Sequence, residues 1–60
     1  MIKEYAEIEN ELERQLTSIK SAFDVAYYND DYSDLKQYMN ANFTQIAMLA
    51  TKLEELIDNE

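Results

Sequence analysis

Tyr28-Asn29-Asp30-Asp31-Tyr32-Ser33-Asp34 is the stretch whose reading decides the fold of this chain. On either side of it apolar residues recur at spacings of three and four, the mark of one helical stripe, and within it that rhythm lapses. The 60 residues include neither Gly nor Pro, the residues that ordinarily end helices and reverse a chain. This polar septet is therefore the only segment equipped to turn. Without glycine, Asn29 is expected to take the left-handed conformation that closes a helix C-terminus. Asp31 is expected to cap the next helix, with Asp30 as the alternative, and Asp34 then falls in the first turn, where negative charge meets the positive end of the helix dipole.

Before the septet, Tyr5, Ile8, Leu12, Leu16, Ile19, Phe23 and Ala26 or Tyr27 form one stripe; after it, Leu35, Met39, Phe43, Ile46, Leu49, Leu53 and Leu56 or Ile57 form its counterpart. No segment alternates as a half-buried strand would. The expectation is an all-α chain: a helix over 2–28, a hinge at 29–31 and a helix over 32–58, making one helical-hairpin domain of residues 1–60. So short a connection makes the two helices antiparallel neighbours.

The width of the stripes carries the next step. Tyr5, Leu12, Ile19 and Ala26 take one seam position of a heptad and Ile8, Gln15 and Ala22 the other, with Ile2, Leu16 and Phe23 beside them. In the second half, Tyr32, Met39, Ile46 and Leu53 pair with Leu35, Asn42, Leu49 and Leu56, and Phe43, Ala50 and Ile57 widen the face. Three apolar positions in seven suit a helix with more than one neighbour, as in a four-helix bundle. A chain this short is marginal alone and needs a supplement: disulfides, a metal or oligomerisation. With no Cys and no His, disulfides and a zinc site of the usual ligands are excluded. The expectation is a twofold-symmetric homodimer, held by Leu12, Leu16, Ile19, Phe23, Met39, Phe43, Ile46, Leu49 and Leu53. Gln15 and Asn42, polar on inward stripes, are expected to fix register, as a single buried Asn does in coiled coils.

Catalysis finds no support. A nucleophilic triad needs a base such as histidine, a phosphate-cradling loop needs glycines, and the helical carboxylates Glu4, Glu7 and Glu11 share an outward face that reads as hydrated surface. No catalytic residue, metal or cofactor is expected, and the protein is read as a non-enzyme. Thirteen acidic residues against five basic ones give a formal charge of −8, which repels nucleic-acid phosphates and anionic membranes alike. Direct nucleic-acid or membrane binding is not expected. With no basic-then-apolar leader, no long apolar run and no cysteine, the expected location is the cytoplasm.

Charge and aromatic residues suggest where a partner binds. Glu4, Glu7, Glu9, Glu11 and Glu13 open the first helix, and Glu54, Glu55, Asp58 and Glu60 close the second, so folding gathers them at one pole. Pairs such as Glu54 and Asp58 are like charges one turn apart, which a helix only tolerates. At the hinge, Tyr27, Tyr28 and Tyr32 cannot all face one seam, and tyrosine is enriched at binding hot spots. The expected partner-binding residues are Tyr28, Asp30, Asp31, Tyr32, Glu54, Glu55 and Asp58, and the expected partner is a larger protein with a basic or nucleic-acid-binding surface. The functional expectation is a small acidic regulator or inhibitor that occludes such a protein; the alternative is a coiled-coil adaptor holding a larger complex together. In size, acidity and helical plan the chain resembles phage-encoded antagonists of host enzymes and defence systems, which implies action in a host cytoplasm.

Overall fold

The computed structural model describes residues 2–59. It is all-helical: α1 (Ile2–Asn29) and α2 (Leu35–Asp58) pack against one another as a hairpin. The body measures 48 × 16 × 7 Å, with a radius of gyration of 14.4 Å. A compact globule of this length would have a radius of gyration of roughly 10 Å. The molecule is thus a flat two-rod raft, one helix thick.

The turn departs from the sequence expectation in two places. The first concerns the left-handed residue, which is Asp30 (φ 52°) and not Asn29. Asn29 remains helical as the last residue of α1. The amide of Asp30 donates to the Tyr27 carbonyl at 3.2 Å and that of Asp31 to the Ala26 carbonyl at 3.0 Å. These bonds are the paired closure of a Schellman motif, which places its left-handed residue one position beyond the cap. Asp pays less for this conformation than most residues because its short side chain bonds locally, but a Cβ still crowds the carbonyl.

The second departure is the start of α2, at Leu35 and three residues later than the expected 32. Asp31 does not cap that helix. Its Oδ1 accepts from the Ser33 amide at 3.0 Å and the Ser33 hydroxyl at 2.7 Å, an Asx turn that offers the backbone a local alternative to helix. Leu35 then donates its amide to the Tyr32 carbonyl at 3.1 Å, closing a further turn. Asp34 takes the N-cap position without a side-chain cap bond. The hinge is therefore 30–34 and not 29–31. Asp30→Gly is expected to raise stability by about 0.5 kcal/mol, since relief of the left-handed Cβ exceeds the added freedom of the unfolded chain; Asp30→Val should shift the melting temperature the other way.

Between the helices runs the seam that the heptads mark out. Ile8 (8% exposed) and Ala26 (6%) are the buried side chains among the described residues. Tyr5, Gln15, Ile19, Ala22, Leu35, Met39, Asn42, Ile46, Leu49 and Leu56 are half-buried around them. At mid-length the Asn42 Nδ2 donates to Gln15 Oε1 at 2.8 Å, and Gln15 Nε2 donates to Glu11 Oε1 at 2.9 Å. Glu11 also meets Arg14 at 3.0 Å. The two polar seam residues thus share one hydrogen bond across the hairpin, and Gln15 passes its own donor on to the Glu11 carboxylate. Sliding one helix by a turn would break this bond, so it pins the register within one chain.

Candidate protein-binding site

Register determines which residues share a face. With Gln15 level with Asn42, the positions one step beyond the seam, Leu16 and Phe23 on α1 and Phe43, Ala50 and Ile57 on α2, line the same broad side of the raft. Their side chains are open to water: Leu16 is 52% exposed, Phe43 49% and Ile57 53%. Leu12 and Leu53 also stay exposed at the edge of the seam. They share a shallow groove of about 170 Å³ with Ile8, Ile46, Leu49 and Ala50. The residues expected at a dimer interface therefore divide. Ile19, Met39, Ile46 and Leu49 are largely engaged inside one hairpin, whereas Leu12, Leu16, Phe23, Phe43 and Leu53 remain on the open face.

The opposite broad side is more polar. There Ser18, Ser21, Ala22, Val25 and Tyr38 line a groove of about 290 Å³. Towards the hinge it continues into one of about 240 Å³, where Val25 and Tyr38 meet Asn29, Asp31 and Asp34. Val25 and Tyr38 were not singled out from the sequence. The signal was present, because each lies one position before a seam residue and so flanks the seam on the side away from Phe23 and Phe43. Two outer hydroxyls are occupied locally: Thr44 Oγ1 donates to the Asn40 carbonyl at 2.9 Å and Thr51 Oγ1 to the Ala47 carbonyl at 3.3 Å.

The residues expected to bind a partner fall into two groups at opposite ends. Tyr28, 89% exposed, stands beside Tyr32, Asp30 and Asp31 at the hinge. Glu54, Glu55 and Asp58 are exposed on the last turns of α2, beside the start of α1. A 48 Å body separates the groups, so a single hairpin does not bring them together. At the hinge the Ser33 hydroxyl and amide hold the Asp31 carboxyl below its ordinary value of 3.8. A folded-state value below the unfolded one adds stability that is present above pH 3.8 and lost as pH falls through the folded value. Melting of the native protein compared with Asp31→Asn should show an advantage for the carboxylate that disappears on acidification below that point.

Among the described residues no group of three or more acidic side chains converges to hold a metal ion, and no helix is long and apolar enough to cross a membrane. Compared with known protein families, characterised proteins and solved structures, the chain matches none.

Proposed function

We propose that this protein is a small acidic homodimer that regulates or inhibits a larger protein by occluding its surface. One observation carries the reading: the hairpin buries only Ile8 and Ala26 among the described residues and leaves Leu16, Phe23, Phe43 and Ile57 on one side in water. An exposed apolar face of this length marks a contact with a protein, a membrane or a ligand; a net charge of −8 disfavours an anionic membrane, and a second hairpin supplies a protein surface that completes a four-helix bundle. Sedimentation at micromolar concentration is expected to report twice the chain mass, and the melting temperature should rise with protein concentration. A monomer whose melting ignores concentration would remove the dimer from the proposal.

Outside that face, the exposed tyrosines at the hinge and the acidic pole are the surfaces whose residue types best suit a heterologous partner. Their chemistry fits a basic protein surface, such as a nucleic-acid-binding groove, where carboxylates steer association and aromatic rings anchor it. Raising salt should then slow association steeply and change dissociation less. The test is capture from host lysate by native protein and by the Glu54→Lys, Glu55→Lys, Asp58→Lys triple variant, followed by titration of the captured protein's own activity. Loss of that activity at stoichiometric dimer, weakened by the triple variant while helicity persists, is the expected result. Capture of a filament or particle subunit with no activity lost would favour the adaptor reading.

A further inference from the structure

We infer that the open apolar face is covered by a second copy of this chain lying antiparallel to the first, with the dyad at the Gln15–Asn42 hydrogen bond and perpendicular to the helices. The inference rests on the dimer proposed above and specifies its geometry. Area sets how much surface the occupant covers. The hairpin exposes 5034 Å², whereas a compact monomer of 7.1 kDa exposes about 4,100 Å². The excess of roughly 950 Å² is close to the ~800 Å² that a standard interface takes from each partner.

Direction follows from the spacing of residues on that face. Glu9 lies six residues from Gln15 towards the chain termini, and Lys36 lies six residues from Asn42 towards the hinge. Both occupy the heptad position of Leu16 and Phe43. A dyad at the Gln15–Asn42 level therefore brings Glu9 level with the partner's Lys36. By the same count Leu16 is level with the partner's Phe43, and Phe23 with the partner's Ala50, so opposite charges share a layer and a large ring shares one with a small residue. A parallel dimer would instead place Glu9 level with Glu9, Lys36 with Lys36 and Phe23 with Phe23.

Net charge favours the same arrangement. The half of the hairpin nearest the termini holds nine carboxylates against Lys3, Arg14 and Lys52, six of the eight net negative charges. Parallel packing would stack these two poles at one end, while antiparallel packing keeps them about a bundle length apart, beyond the screening distance of roughly 8 Å at physiological salt. Each end of the antiparallel bundle then presents the Tyr28 and Tyr32 of one protomer beside the Glu54 and Glu55 of its partner.

Two measurements on the full chain test this. In the first, a spin label at Asn59→Cys reads the direction by pulsed dipolar spectroscopy. With Asn59 seventeen residues beyond Asn42 at 1.5 Å per residue, the antiparallel dimer separates the labels by about 50 Å; parallel packing at an 8–10 Å interaxial spacing leaves them within about 20 Å. In the second, Glu9→Lys and Lys36→Glu are each expected to weaken dimerisation about tenfold, and the double exchange to restore it to within about twofold. Within one hairpin these residues stand some 18 Å apart along the axis, so they form no internal pair that would give the same pattern. A short label distance, or single exchanges that leave dimerisation unchanged, overturns the antiparallel assignment and leaves the dimer standing. The absence of any dipolar coupling in a folded, monomeric protein overturns both.

Discussion

Phe43→Glu is expected to leave the protein monomeric and largely unfolded at micromolar concentration. Within a single hairpin Phe43 is 49% exposed, and a surface substitution of that kind changes stability by only about 0.5 kcal/mol either way. If the face is closed by a second copy, the ring is core. Its loss then costs about 3–5 kcal/mol per protomer, before counting the burial of a carboxylate with no partner. Dyad symmetry introduces the lesion twice, so a domain of marginal size has no reserve against it. Far-UV circular dichroism and sedimentation of the same sample measure both effects together. Val25→Glu serves as the internal control, because Val25 is also exposed but lies on the opposite side of the raft. It should stay helical and dimeric. A Phe43→Glu protein that melts like the native chain would show that this face is surface in solution.

Gln15→Leu and Asn42→Leu are expected to be costly singly and tolerable together. In the native hairpin the Asn42 Nδ2 donates to Gln15 Oε1 at 2.8 Å, so each side chain is the other's partner across the seam. Replacing one strands the other in a half-buried seam, and an unsatisfied polar group costs about 1–3 kcal/mol. Replacing both removes the unmet demand and adds apolar contact, which returns stability to about the native value or above it. What the double variant should lose is uniqueness: with no polar bond to fix the register, leucines at both seam positions accept more than one helix offset. Chemical denaturation reads the stabilities, and the number of backbone amide resonances reads the number of conformers. A double variant as unstable as the worse single one would mean that the pair contributes more than mutual satisfaction.

The helices themselves were legible from spacing alone. A side chain's position on a helix repeats every 3.6 residues wherever the helix sits, so the seam from Ile8 to Ala26 and from Leu35 to Leu56 could be read from the chain and, Leu12 and Leu53 apart, coincides with the buried and half-buried residues of the structure. The hinge was legible as a place but not as a conformation. Asn29, Asp30 and Asp31 have similar preferences for left-handed and capping geometry, and propensity does not choose among near equals. The choice of Asp30 came from two carbonyls, those of Tyr27 and Ala26, which needed amides at fixed offsets. The late start of α2 has a similar cause, since Ser33 offered the Asp31 carboxylate both a hydroxyl and an amide.

By itself the sequence determined the all-helical plan, the single reversal, the seam and the acidic pole, because each depends on residue type and on separations along the chain. Tertiary structure decided what depends on how two helices face one another. It paired Gln15 with Asn42, so that one hydrogen bond pins the register and sends Leu16, Phe23, Phe43 and Ile57 to the same side. It also set Val25 and Tyr38 together with Ser18, Ser21 and Ala22 along a groove on the other side. Periodicity along one helix shows that its apolar stripe is broad. Only the second helix, lying against part of that stripe at a definite offset, determines which part stays in water, because burial is a property of the pair.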